Sequence, residues 1–275
     1  MFSILIPTWN NRPYLQHCVN SIKKNSSYPH QIIVIVNEGK DDTISWIKDN
    51  HIEYVHHTNN VGICKGLNSA TELIKNEYVV YLNDDMYVMP NWDQHLVNEI
   101  EAIGHKKFML SGTMIEPKDT GNPCVIVQDF GDDINSFKED KLLNFNNKCH
   151  KKDWSGASWP PVLLPAELWE KVGGMSEEFS PGMYSDPDLS MKIWQEGIRH
   201  FKGVGASRVY HFGSKSTRKL GKNIGRQIFL KKWNITANFF YKNYLKMGQE
   251  WKGVLPDFEQ KLNTRIIHRL KKLKG

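Results

Sequence analysis

The sequence predicts an α/β protein with a mixed, mostly parallel sheet, helices on both faces and a helical C-terminal extension. Three observations carry this. The first hundred residues alternate short apolar runs with amphipathic segments. Acid- and amide-rich turns follow directly on the apolar runs. The last quarter turns basic and aromatic. A β-α-β-α-β rhythm sets its strands parallel and its crossover helices on the two faces.

Phe2–Pro7 is an apolar run closed by proline. Arg12–Lys24 places Tyr14, Leu15, Cys18, Val19 and Ile22 at helical spacing, with Pro13 in the first turn. Gln31–Val36 holds the β-branched run of a buried parallel strand, and Asp42 or Thr43 caps the helix after it. Ile52–His56 is a short strand, Gly66–Lys75 a helix and Tyr78–Leu82 another buried strand. Residues 105–150 are less regular, with short strands at Phe108–Met114 and Val125–Asp129. Glu167–Val172 is a short helix stopped by Gly173 and Gly174. Another runs from Asp188, its cap, to Gln195. Residues 220–275 read as mostly helical, broken near Gly248 and Pro256.

At 275 residues the chain is one large domain, or one domain with an appendage. Its hydrophobic and charged shares, 40% and 24%, exclude bulk disorder. Cys18, Cys64, Cys124 and Cys149 have no CxxC spacing. That argues against a zinc site or disulfide framework and for a reducing, cytoplasmic setting. No apolar run reaches the roughly 18 residues that span a bilayer. Met1–Pro7 lacks the basic region and cleavage site of a leader and reads as a first strand. The net charge of +6 conceals an asymmetry: residues 201–275 hold 18 Lys and Arg against 3 Asp and Glu. Such an end is either a solvated helical face or a surface that meets phosphates. Leu262, Ile266, Ile267, Leu270 and Leu273 share a helical face within it. That face can lie on an anionic membrane, pack on the catalytic domain, or meet a second subunit in a homodimer.

In open α/β sheets, ligands bind at the carboxyl ends of strands near a switch in strand order. Thr8–Asn11, Asn37–Asp42 and Asn83–Asp85 converge there. Asn83-Asp84-Asp85 offers oxygen ligands for Mg²⁺ or Mn²⁺ with phosphates completing the shell, or else is a helix-capping turn. Asp186, in Ser185-Asp186-Pro187-Asp188, is the best-placed general base for a sugar hydroxyl. His211 ends a strand and is either a core residue or a ligand. Lys215, Arg218 and Lys219 after it can hold a diphosphate. Trp154, Trp159 and Trp194 stack on acceptor sugars or belong to the core.

Seven stretches, in order over about residues 3–215, resemble the large inverting glycosyltransferase family 2. Ile6-Pro7-Thr8-Trp9-Asn10-Asn11-Arg12 resembles its opening strand and turn. Val34–Thr43 resembles its second strand and acidic loop, and Asn60-Val61-Gly62 through Asn68 resembles N-x-G-x(5)-N. Leu82-Asn83-Asp84-Asp85 resembles the DxD motif in an N-x-D form. Trp169–Met175 with Glu178-Phe179 resembles the V-G-G segment, Tyr184–Leu189 the E-D-x-D-L motif, and Tyr210–Gly213 the late Y-H-x-G.

The resemblance implies a GT-A fold, Rossmann-like, with a catalytic domain over 1–215 and an extension over 216–275. The nucleotide-sugar half is about 1–100 and the acceptor half about 101–215. It implies Asp85 and His211 as ligands of Mn²⁺ or Mg²⁺ and Asp186 as the catalytic base. Pro7, Thr8, Asn10, Asn37, Glu38, Gly62, Asn68, Asn83, Asp84, Lys215 and Arg218 fall on the nucleotide-sugar side. The implied partners are a nucleotide-sugar donor and a saccharide or lipid-linked acceptor.

Three positions depart from the family pattern. Asn37 stands where an aspartate is usual, and Asn can donate as well as accept. Asn83 replaces the first DxD aspartate. Ser185 replaces a glutamate, which removes a like charge beside Asp186 and predicts an ionised base. The rivals are a degenerate glycan-binding relative and a sugar-1-phosphate nucleotidylyltransferase. The latter would need a glycine-rich loop where Pro7–Arg12 stands. No nucleic-acid-binding motif is present.

Overall fold

The computed structural model describes residues 1–213, 224–260, 267–268 and 271–272. The sequence-predicted face of Leu262, Ile266, Ile267, Leu270 and Leu273 lies mostly outside them, as do Lys215, Arg218 and Lys219. Strands β1 (Phe2–Trp9), β2 (Gln31–Asn37), β3 (Glu53–His57) and β4 (Tyr78–Tyr81) form a parallel half-sheet in the order β3-β2-β1-β4. The helices α1 (Arg12–Asn25), α2 (Thr43–Asp49) and α3 (Gly62–Ser69) connect them. The chain therefore builds outward from β1 to β3, then returns to the other side of β1. That reversal between β1 and β4 is the switch point at which a crevice opens.

Beyond β4 the sheet becomes mixed. After β5 (Met86–Val88) and α4 (Trp92–Ile103) come β6 (Phe108–Glu116), β7 (Ile126–Val127), α5 (Glu139–Lys148), β8 (Trp154–Ser155) and β9 (Val162–Pro165). The helices α6 (Ala166–Lys171) and α7 (Ser185–Gln195) and the long β10 (His200–His211) complete this part. β9 inserts antiparallel between β4 and β6, β10 runs parallel to β6, and β5 pairs antiparallel with β10.

Alternation along the strands divides the core between the two faces. Leu5, Ile33, Ile35, Val79 and Tyr81 face α3, α6 and α7. Ile4, Ile6, Val34, Val36, Val80 and Leu82 face α1 and α4. Burial of both faces is why β2 is a continuous β-branched run.

Several elements differ from the sequence expectation, each for a tertiary reason. α3 starts at Gly62, four residues early, because the Asn60 side chain accepts the Gly62 N–H at 2.9 Å. At φ +79°, with a notional Cβ 2.9 Å from the Pro181 Cα, Gly62 is the residue that fits there. α2 carries no side-chain cap from Asp42; instead Asp41 binds the Thr43 hydroxyl at 2.6 Å and the Arg12 N–H at 2.8 Å, tying α2 to α1. Asp188 does not cap α7. It lies one turn inside, fully buried, and accepts from Ser176 and from the Trp233 indole at 2.7 Å, with Lys232 at 3.0 Å.

Trp233 ends α8 (Gly225–Trp233), which is followed by the single turn α9 (Ala237–Phe239) and a π-turn over Phe240–Tyr244. The described residues 267–268 and 271–272 are helical again, but from 245 to 260 the chain leaves the helix. Its backbone is taken instead by Ser155, Asp153 and Arg199, through bonds at 2.8–3.0 Å to Gln249, Trp251 and Leu255. Phe229, Ile235, Phe240, Leu245 and Leu255 join the α7 side of the core. Among the described residues, no helix is long and apolar enough to cross a membrane.

Candidate active site

One cleft opens at the switch point. Its walls come from the end of β1 (Pro7, Thr8, Trp9), the end of β2 (Asn37) and the start of α3 (Asn60, Gly62, Ile63). The turn between β4 and β5 (Asn83, Asp84, Asp85) and the loop entering α7 (Pro181 to Met183, Ser185, Asp186) complete it. Thr8 spans the switch: its hydroxyl donates to Asp84 Oδ2 at 2.7 Å. Burial and then the like charge of Asp85 push the Asp84 carboxyl up to about 7, against the bonds from Thr8 and Asn11.

Across the cleft, Asp186 sits in the first turn of α7. Ser185 beside it turns inward and donates to the Gly182 carbonyl. Burial alone pushes the Asp186 carboxyl up to about 7. Removing the neighbouring like charge therefore does not leave a strongly ionised base, as the sequence suggests. Desolvation outweighs it and poises the group near neutrality, where a general base works best. Tyr81 and Tyr241 lie close enough that the Asp186 charge, after burial, helps raise both phenols.

His211 comes to the acidic turn by strand register. Antiparallel pairing sets it opposite Met86, the residue after Asp85. Its Nε2 lies 3.4 Å from Asp85 Oδ1, and its Nδ1 lies 2.8 Å from Glu116 Oε1. Burial opposes charge on the ring, but Asp85 and Glu116 overcome it and raise the imidazole to about 10. Two side chains thus converge with donor atoms suited to a hard divalent cation, whose remaining positions diphosphate oxygens can fill. Among the described residues, no group of three or more His, Cys, Asp or Glu side chains is set to hold a metal ion by itself.

The other sequence-predicted residues fall into three groups. Pro7, Thr8, Asn37, Gly62, Asn83 and Asp84 line the cleft. Asn10 and Glu38 form a latch beside it: Asn10 donates to Glu38 at 2.9 Å and accepts the Lys40 N–H at 2.8 Å. That bond, with others from Trp9 and Lys40, holds the Glu38 carboxyl below the usual range. Asn68 is spent elsewhere, with both ends of its amide bound to the Met175 backbone at 2.8 Å. Lys215 and Arg218 lie outside the described residues. Asn37 Oδ1 accepts the Val61 N–H at 3.0 Å, which fixes the amide orientation and leaves its N–H groups to donate. Of the tryptophans, Trp154 and Trp194 are buried, while the half-buried Trp159 packs edge-on to Tyr241 at 5.2 Å.

This cleft sits in a chain whose residues 3–147, more than half its length, match the model described as "Glycosyl transferase family 2". The chain belongs to glycosyl transferase family 2. An O-antigen biosynthesis protein of Myxococcus xanthus is 25% identical over 231 residues, 78% of this chain and 18% of that protein. This chain spans about a third or less of the length of the curated relatives it matches. Among solved structures, GalNAc-T7 with UDP, GalNAc and Mn²⁺ aligns with a TM-score of 0.56 at 19% identity, covering 77% of this chain and 43% of that one. Residues 1–349 of S. aureus TarS with UDP-GlcNAc align at 0.58 and 16%, covering 87% and 73%. These likenesses establish the GT-A fold.

Two groups near this family 2 cleft escape sequence reasoning. Glu116 sits in an ordinary strand, and only the β6–β10 register places it beside His211. Tyr241 lies more than fifty residues from Asp186, in a stretch that reads as mostly helical, basic and aromatic. No local signal marks either one.

Proposed function

We propose that the chain transfers a sugar from a nucleoside-diphosphate sugar to the hydroxyl of a saccharide or lipid-linked acceptor, with inversion. The observation that carries this reading is that Asp186 and the Asn83-Asp84-Asp85 turn line one cleft. Asn37 and the Asn10–Glu38 latch lie toward the nucleoside, and Asp84 and Asp85 toward the diphosphate. Asp186 accepts the proton of the acceptor hydroxyl as its oxygen attacks the anomeric carbon from the face opposite the leaving group. One displacement inverts the centre. Holding both reactants in one cleft supplies much of the rate gain.

Asp85 and His211 are the residues that would hold Mn²⁺ or Mg²⁺. The cation, when bound, neutralises charge on the departing diphosphate. With two protein ligands, its binding should depend on the nucleotide.

The test is a thermal-shift panel of UDP-, dTDP-, GDP- and CDP-sugars with and without Mn²⁺. A shift with one nucleotide class, larger with Mn²⁺, is expected. No shift with any donor would remove the reading.

A further inference from the structure

We propose that Glu116 is a positioning residue that acts through His211, fixing the ring so that Nε2 is held ready as a ligand. The proposal rests on the reading of Asp85 and His211 as the cation's protein ligands.

Three strands meet at this point. β6 and β10 run parallel with Ile115 beside Tyr210, so the next residues along, Glu116 and His211, are neighbours. β10 and β5 run antiparallel with His211 opposite Met86, which brings in Asp85. The Phe212 N–H bonds the Asp85 carbonyl at 3.1 Å and locks the register. His211 is 7% exposed and Glu116 9%, so neither ring nor carboxylate swings freely in solvent.

The two ring nitrogens are treated differently. Nδ1 is 2.8 Å from Glu116 Oε1, so the carboxylate backs the ring on the side away from Asp85. Nε2 is buried and faces the acidic turn, paired with Asp85 Oδ1 at 3.4 Å, the contact that a cation shared by both side chains would replace. Glu116 has little other employment: its Oε2 is 3.4 Å from the Thr120 hydroxyl, a long contact. A carboxylate behind a ligating imidazole selects the tautomer, aims the ring and raises its basicity.

The experiment uses Glu116→Gln, nearly isosteric, whose amide can donate to Nδ1 and so favour a proton on Nε2. Binding of Mn²⁺ in the presence of UDP is followed by the electron paramagnetic resonance of the free ion. The expected result is Mn²⁺ affinity weaker by about 10–100-fold. UDP affinity in chelator and the melting temperature stay at wild-type values, which a merely structural role would not allow. Glu116→Gln made in a His211→Ala background should add no further loss, because Glu116 acts only through the ring.

Unchanged Mn²⁺ affinity in the single variant would overturn the proposal. So would equal losses in chelator, or a further loss without His211. A wild-type protein that binds UDP but no Mn²⁺ would instead remove the metal reading itself, and this role with it.

Discussion

The two acidic walls of the cleft reach the same protonation behaviour by different routes. On the β4–β5 turn, Asp84 is buried beside Asp85, and the cost of crowding two carboxylates is offset by Thr8, Asn11 and the His211–Glu116 pair. On α7, among the described residues no neighbouring charge pushes Asp186; burial lifts it to about 7. One is a network with compensating partners, and the other is a lone carboxyl in a desolvated setting. Substitutions that cut the network should therefore damage binding and stability together, whereas substitutions of the lone carboxyl should separate turnover from both.

The sharpest break is Asp186→Asn. Turnover should fall by about 10²–10⁴-fold, the usual worth of a general base, while calorimetry finds UDP affinity unchanged. The variant should also melt higher at pH 8. A carboxyl raised above its unfolded value near 4 keeps its proton in the folded state when the unfolded chain has lost it. Stability thus falls as pH rises from about 4 to about 7 and is level above. Removing the group should restore about 1–3 kcal/mol at pH 8 and nothing at pH 4.

The wild-type pH–rate profile should follow the same group. Activity should decline roughly tenfold per unit below about pH 7. A profile flat down to pH 5 would mean that Asp186 is not the base.

Next in size is Thr8→Val, which strips Asp84 of its 2.7 Å donor. It should cost about 1–3 kcal/mol of stability at pH 8, less at pH 6 where Asp84 is already protonated, and should weaken donor binding as well.

The smallest expected effect is at Asn37. With Oδ1 held by Val61, the wild-type amide presents donors to a ligand; Asn37→Asp presents an acceptor. The ratio of UDP to CDP affinity should rise by about fivefold, since only uracil offers an N–H at N3. An unchanged ratio would place the base elsewhere.

Much of this was legible in the sequence where signals are local. β1, β2 and β4 announce themselves as apolar runs, and the turns that follow them are the cleft. The ordered motifs, from Pro7-Thr8 to Tyr210-His211, carry the family resemblance on their own. The sequence misjudged the start of α3 and the place of Asp188. In each, the deciding partner is remote: Pro181 over Gly62, and Trp233 and Ser176 on Asp188. The break it expected near Gly248 and Pro256 is there, where the 153–155 backbone runs along 249–251.

The sequence by itself determined the α/β architecture and the family. It also supplied the acidic turn and Asp186, because strand burial and turn chemistry are written in neighbouring residues. Only the tertiary structure decided how those groups behave. The protonation of Asp186 depends on the walls around it. The aim of His211 depends on a carboxylate brought in by the neighbouring strand, and whether a predicted polar residue reaches the cleft depends on competing bonds, as at Asn68. Desolvation and strand register are properties of distant segments brought together, and no single stretch of the chain encodes them.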